Sequence, residues 1–229
     1  MEDELSESGR LKLKMHYEAE EKTLQQLLKL EDEFRAHYTL MLKELQLQKE
    51  LTDRIWVLSQ RYIILISTGP CCKYPDIYAS PAEDVIISEY NEKLKLLNVS
   101  NCRIMKSLHA LRLSCIVFEK LCSQLDMSVE SPLIIGDVFH KPLAFFIELV
   151  SDLFKCFHAM ILKLKYSLNQ TDPYDCGKLD EYKMLLKPSE EFEDYFKLSM
   201  TYCNCLKSVK LCCGKPERDK ELYKLNCKE

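Results

Sequence analysis

Glycine is scarce in this chain, with five among 229 residues. Kinases and ATPases bind nucleotides through a glycine-rich turn ahead of a helix, because backbone amides must approach the phosphates closely. Five scattered glycines supply no such turn, so the sequence argues against a nucleotide-binding enzyme. The eight prolines lie mostly in short clusters, which is typical of a helical protein with few turns.

Long apolar runs are missing as well. No apolar run approaches the roughly 18 residues that a membrane-spanning helix requires, and the polar start MEDELSESGR does not resemble a secretory signal. The net charge of -4, from 32 basic and 36 acidic residues, gives no overall attraction to nucleic acid. We therefore expect a soluble intracellular protein that does not bind nucleic acid directly.

The patterns expected of catalytic and metal sites are also missing. Hydrolytic zinc sites need two histidines one helical turn apart, and the five histidines of this chain stand singly. Cys156 and His158 lie two residues apart on a predicted helix and so face different directions, which excludes a cysteine nucleophile with its base. We therefore expect no enzymatic activity, no cofactor and no catalytic or metal-binding residue.

Cysteine, in contrast, is abundant, with twelve residues. Several cysteines occupy core positions of predicted helices in a chain without an export signal, which favours reduced thiols that pack as small apolar groups. The C-terminal cysteines lack the usual two-residue spacing of zinc ligands. Whether they hold a structural zinc ion or are partly buried thiols stays open; they are Cys203, Cys205, Cys212, Cys213 and Cys227.

The chain does contain long apolar seams, which are positions that recur at alternating steps of three and four residues and so share one face of a helix. One seam runs from Ile87 to Leu125, and Asn101 is its single polar member. A lone asparagine in a seam typically fixes register and partner at a cost in stability, because its amide needs a mate in a dry interface. The alternative is that Asn101 faces water at a local break. If it is buried in the seam, replacing it by leucine should raise stability.

Two further seams predict two further long helices. No glycine or proline occurs from Leu11 to about Ile66, although the register of the apolar positions slips between Leu45 and Leu51, so this segment is one long helix, bent there, or two abutting helices. A third seam runs from Leu143 to Leu164 and follows Pro142, which suits the start of a helix. Seams this narrow are typical of helices that pair with a partner subunit.

The sequence thus predicts an all-α protein, an elongated antiparallel helical bundle or coiled coil of three long helices with shorter C-terminal helices. The predicted segments are a long N-terminal helix with a frayed start at 1–66, a loop at 67–81, a heptad helix at 82–126, a loop at 127–141, a heptad helix at 142–170, short helices at 171–211 and a polar cysteine-containing tail at 212–229.

Three stretches of sequence resemble the cyclin-dependent kinase 2-interacting protein family in their order and approximate spacing. They are EYNEKLKLL at Glu89 to Leu97, FIELVSDLFKCFHAMILKLK at Phe146 to Lys165, and YKMLLKP at Tyr182 to Pro188, the last preceded by Asp172 and Pro173. The resemblance covers residues 85 to 190 and consists of a pattern of helices with a few shared polar residues.

The resemblance implies a non-enzymatic nuclear adaptor, which could also be present in the cytoplasm. The implied protein partners are cyclin-dependent kinases, checkpoint proteins, and an AAA-ATPase complex with a related small helical subunit. Their processes are DNA replication, the cell cycle and ribosome biogenesis. A coiled-coil subunit of another assembly, such as a kinetochore or spindle complex, would share every physical feature described above. The candidate partner-binding residues are Glu89, Tyr90, Asn91, Glu92 and Asn101.

Overall fold

A computed structural model describes residues 7–67 and 79–208 of the chain. Of these residues 85% are helical and none belongs to a β-strand, which confirms the all-α class predicted from the sequence. The described elements are α1 (Glu7–Ser67), α2 (Ala79–Cys122), α3 (Pro132–Ile135), α4 (Leu143–Leu168), α5 (Cys176–Met184) and α6 (Glu190–Cys205), followed by a 3-10 turn at Leu206–Ser208. The predicted tail at 212–229 and most of the predicted loop at 67–81 lie outside the described residues.

Helix α1 is continuous through the point where the apolar pattern slips. Its buried seam keeps steps of three and four throughout, because polar side chains fill several of its positions. The seam consists of Glu20, Thr23, Leu27, Leu30, Phe34, His37, Met41, Leu45, Gln48, Thr52, Ile55, Ser59 and Tyr62. The slip between Leu45 and Leu51 is therefore a polar stretch of an unbroken seam.

Helices α2 and α4 bury the seams read from their sequences. In α2 the seam is buried from Leu97 to Cys122, and Asn101 is included at 6% exposure. Past the end of α2, Gln124 and Leu125 donate backbone hydrogen bonds to carbonyls three residues earlier, and this tighter turn keeps Leu125 buried. In α4 the seam residues from Leu143 to Leu164 are buried apart from Met160, which is half-buried.

The predicted loop at 127–141 contains the one-turn helix α3, so describing this whole segment as a loop was wrong. The Ser131 side chain caps α3 by accepting a hydrogen bond from the Leu133 amide, and Pro132 supplies a backbone angle suited to the first turn. Gly136 ends the helix with a φ of 78°, a region that residues with a Cβ rarely adopt. Burial of Leu133 and Ile134 anchors this turn. The turn is too short for a repeating apolar pattern to predict it.

The chain divides into two compact units. One unit comprises Met1–Asp32, Leu113–Asp152 and Phe196–Glu229, and the other comprises Glu33–Arg112 and Leu153–Tyr195.

Each unit has its own aromatic cluster. In the second unit the fully buried Phe157 packs against Phe34, His37 and Phe192. In the first unit Phe145 packs edge-on against Phe146 and Tyr202, and the Lys141 ammonium lies 5.8 and 5.6 Å from the Phe145 and Tyr202 ring centres. No helix within the described ranges has the length and apolarity that crossing a membrane requires.

Candidate protein-interaction site

A buried polar cluster joins α1, α2 and α5 within the second unit. At its centre is Gln48, which is fully buried. The Gln48 Nε2 group donates to Ser100 Oγ at 2.9 Å and to Asn101 Oδ1 at 2.8 Å, while Gln48 Oε1 accepts from the Tyr182 hydroxyl at 2.7 Å. All the hydrogen-bonding capacity of the Gln48 amide nitrogen is therefore used inside this chain.

The cluster extends towards the surface through Glu44. Ser100 Oγ donates to Glu44 Oε2 at 2.6 Å, and Arg103 Nη1 lies 3.4 Å from Glu44 Oε1. The Glu44 side chain is 7% exposed whereas that of Arg103 is 56% exposed. The nearly buried carboxylate is thus balanced by a serine and by an arginine that still contacts water, which limits the cost of burying its charge.

Tyr182 and Asn101 are the two cluster members with perturbed or incomplete hydrogen bonding. Burial raises the pKa of Tyr182 above its ordinary value of 10.0, and the nearby Asn101 amide opposes that rise. The Asn101 Nδ2 group is buried and makes no hydrogen bond of ordinary geometry to any described residue. Asn101 therefore holds one good hydrogen bond, through its oxygen, and one poorly satisfied donor.

The contacts between α1 and α2 in this unit run in opposite order along the two helices. His37 Nδ1 lies 2.9 Å from Ser107 Oγ, Gln48 contacts Asn101, and the Tyr62 hydroxyl donates to Glu83 at 2.9 Å. Positions that rise along α1 are thus matched by positions that fall along α2. These polar pairs occur where polar residues occupy the α1 seam, so they fix which residues of the two helices face each other.

The candidate residues at the start of the resemblance divide into buried and exposed ones. Tyr90 is 2% exposed, and burial raises the pKa of its hydroxyl while the nearby Thr171 side chain opposes the rise. The hydroxyl makes no hydrogen bond of ordinary geometry to any described residue. Glu89, Asn91 and Glu92 are exposed on the same turn of α2. Tyr90 therefore anchors this turn in the interior, and only its three polar neighbours are accessible to a partner.

Asn101 is likewise an interior residue, and its hydrogen-bond mate is Gln48 of the same chain. Asn101 could be recognised in the sequence because it interrupts an apolar seam, whereas Gln48 and Tyr182 were not recognised as its partners. Gln48 also lies in a seam, that of α1. The apolar pattern appears to slip after Leu45 because the next buried position is the polar Gln48. Nothing in the sequence pairs Gln48 with Tyr182, which lies 134 residues away.

The part of the chain that the structure describes contains no cluster of side chains suited to binding a metal ion. No group of three or more histidine, cysteine, aspartate or glutamate side chains there is placed to hold a metal ion. Of the cysteines considered as zinc ligands, Cys203 is buried and Cys205 is exposed, while Cys212, Cys213 and Cys227 lie outside the described residues. Burial raises the pKa of the Cys122 thiol in the α2 seam to about 12, so it stays protonated at neutral pH.

The surface of α2 that follows the turn from Glu89 to Glu92 is basic. From residue 93 to residue 118 the sequence has five lysines and arginines and no carboxylate: Lys93, Lys95, Arg103, Lys106 and Arg112. Except for Lys93, which is half-buried beside Glu92 at 3.5 Å, these side chains are exposed. Helix α2 thus presents an acidic turn followed by a long basic surface, with its apolar seam directed inward.

Comparison of the chain with protein-family models, with curated proteins and with solved structures gave no match.

Proposed function

We propose that this protein is a non-enzymatic adaptor that uses the exposed acidic turn of α2 to bind a protein partner in the nucleus. The observation that carries the proposal is the division of this turn, in which a buried Tyr90 fixes the backbone and leaves Glu89, Asn91 and Glu92 exposed. A fixed backbone lowers the entropy cost of binding, and exposed charges beside a helical seam commonly select partners.

The helical framework proposed for this adaptor is an antiparallel coiled-coil bundle. The opposite order of the polar pairs along α1 and α2 supports it, together with the three-four spacing of both seams. Buried polar pairs such as Gln48 with Asn101 would disfavour any shifted register, because a shift leaves their amides unsatisfied. The bundle would then present α2 to partners in one fixed orientation.

The identity of the proposed partners rests on the sequence resemblance. An adaptor of this kind would serve as an accessory subunit of an AAA-ATPase complex or would bind cyclin-dependent kinases and checkpoint proteins, in DNA replication and ribosome biogenesis. Single histidines and the lack of a metal-binding cluster among the described residues are compatible with an adaptor. The competing coiled-coil function, in a kinetochore or spindle complex, predicts a different set of co-purifying proteins.

The test is affinity purification of the tagged full-length chain from native extract, read by mass spectrometry. The variant Glu89→Lys with Glu92→Lys should keep its helicity and melting temperature, because both side chains are exposed and a surface pair such as Glu92 with Lys93 adds little stability. We expect it to lose the ATPase or kinase partner. The control Glu18→Lys with Glu148→Lys makes the same charge change at exposed positions elsewhere and should retain the partner.

Recovery of the same partner by the doubly reversed α2 variant, at normal folding, would remove this turn from the interface. Capture of centromere or microtubule proteins in place of an ATPase or kinase would favour the kinetochore or spindle alternative.

A further inference from the structure

The segment 135–140, named here the tip segment, exposes apolar side chains to a degree unusual for a folded region. Val138 is 94% exposed, Phe139 is 81% exposed and Ile135 is 60% exposed. Single exposed apolar residues are common on protein surfaces, but three within five residues form a patch of the kind that marks interaction sites.

The tip segment is held in one conformation by its own backbone and side chains. The Asp137 carboxylate accepts hydrogen bonds from the amides of Phe139 and His140, each at 2.7 Å, and lies 2.8 Å from His140 Nδ1. The Asp137 amide donates to the His140 carbonyl at 3.0 Å, which closes the loop. Because these bonds order the loop in advance, docking Val138 and Phe139 would cost less entropy than ordering a mobile loop.

The charged residues within the tip segment and the stretch that precedes it in sequence are all acidic. From residue 126 to residue 140 the sequence contains Asp126, Glu130 and Asp137 and no lysine or arginine. The next cation, Lys141, lies over the Phe145 and Tyr202 rings of its own unit. A surface that receives this tip should therefore be apolar and bordered by basic side chains.

The outer face of α2 has this chemistry. Leu96 and Val99 are 43% and 47% exposed, and the exposed Lys95 and Lys106 lie on the same side of the helix, at helical spacings from Val99. Arg103 adds a third cation, although Glu44 partly neutralises it. This α2 face is thus an apolar strip bordered by lysines, and the exposed Glu92 lies at its N-terminal end.

We propose that the tip segment of one molecule docks on the α2 face of a second copy of this chain. Val138 and Phe139 would contact Leu96 and Val99 of the other copy, while the acids beside the tip would lie against its lysines. The contact joins two different surfaces, so each molecule carries one tip and one receiving face. The receiving face adjoins the acidic turn, because Glu92 lies one helical turn before Leu96. The two proposals are tested separately, since sedimentation of the purified chain contains no other protein and affinity purification from extract does.

The test is sedimentation velocity of the purified full-length chain over a concentration series. We expect reversible self-association that weakens as salt concentration rises, since opposite charges contribute to it. Phe139→Ser should weaken the association on the order of tenfold, as loss of a buried aromatic anchor does. The control Met184→Ser removes an apolar side chain that is also 81% exposed and should leave the association unchanged.

Charge reversal identifies the two surfaces. Lys95→Glu with Lys106→Glu should weaken association, and adding Asp126→Lys with Glu130→Lys to the same chain should restore it, because the opposing charges again differ in sign. All these side chains are exposed, so circular dichroism should give the same helical spectrum for every variant. A monomer at every concentration overturns the proposal. So does an equal loss in Met184→Ser, or a failure of the combined reversal to restore association.

Discussion

Gln48 shows how a buried amide is accommodated at the level of single residues. Its side-chain oxygen and both N–H groups of its side-chain nitrogen have partners at 2.7 to 2.9 Å. Both N–H groups are therefore hydrogen-bonded although Gln48 is fully buried. This arrangement depends on Asn101, whose oxygen is one of the two acceptors for Gln48 Nε2. The stability contributed by Asn101 is therefore determined by the group it satisfies as well as by its own burial.

We predict that Asn101→Leu destabilises the protein by about 1–3 kcal/mol, which is the cost of leaving a buried donor of Gln48 without an acceptor. This reverses the expectation drawn from the sequence, which counted only the desolvation of Asn101 itself. The free energy of unfolding from urea denaturation is the measurement. The control Asn98→Leu changes an exposed asparagine of the same helix and should alter stability by at most about 0.5 kcal/mol. A more stable Asn101→Leu variant would mean that apolar burial outweighs the lost acceptor.

Among the secondary-structure elements, the agreement between sequence and structure depends on what fills each seam. The seams of α2 and α4 could be read because nearly every position is apolar. The seam of α1 was read incompletely, because Gln48, Thr52 and Ser59 occupy three of its buried positions. Polar residues in a seam are recognisable only once their partners are known, and those partners lie on other helices.

The one-turn helix α3 and the hydrogen bond between Gln48 and Tyr182 could not be predicted from the sequence for a related reason. Periodicity needs two or more turns to be detected, and α3 has four residues. Its sequence does contain a capping serine, a proline and a terminal glycine, Ser131, Pro132 and Gly136, which together are a local signal for a short turn. Tyr182, in contrast, joins Gln48 only through packing of distant segments, which no local pattern records.

Gly136 is the position at which this turn tolerates least change. A Cβ at this residue would lie 2.7 Å from the His140 carbonyl oxygen and 2.8 Å from the Pro142 nitrogen, and its φ of 78° disfavours any side chain. We predict that Gly136→Ala destabilises the turn by about 1–3 kcal/mol. Hydrogen exchange of the Phe139 and His140 amides, which Asp137 holds, should become faster.

The matched control for this prediction is Gly177→Ala. A Cβ there would approach only the Asp175 side chain, at 3.0 Å, and Gly177 lies in the first turn of α5 without a positive φ. We expect a stability change of at most about 1 kcal/mol, since alanine is a better helix former than glycine. Equal effects of the two substitutions would show that the backbone conformation of Gly136 carries no special cost.

For the molecule as a whole, burial of His37 should make stability depend on pH below neutrality. Burial lowers the pKa of His37 from 6.5 to about 4, and its ring lies between Ser107, 2.9 Å away, and the Phe157 ring. Asp126 and Asp137 have pKa values below their ordinary 3.8, mainly because of hydrogen bonds from Ser128 and from His140 respectively. The stability that these two carboxylates contribute is therefore lost only at lower pH.

The sign of the His37 effect follows from proton uptake. Below pH 6.5 the unfolded chain binds a proton at His37, while the folded chain does not do so until the pH approaches about 4. We predict that the free energy of unfolding falls between pH 6.5 and pH 4 and that the His37 contribution then levels off. The lost stability should be on the order of 3 kcal/mol. In His37→Gln this part of the slope should disappear, whereas in the control His109→Gln, an exposed position, it should remain. Urea unfolding at a series of pH values measures the difference. Identical slopes for His37→Gln and the unaltered protein would mean that the pKa of His37 is the same in the folded and unfolded chains.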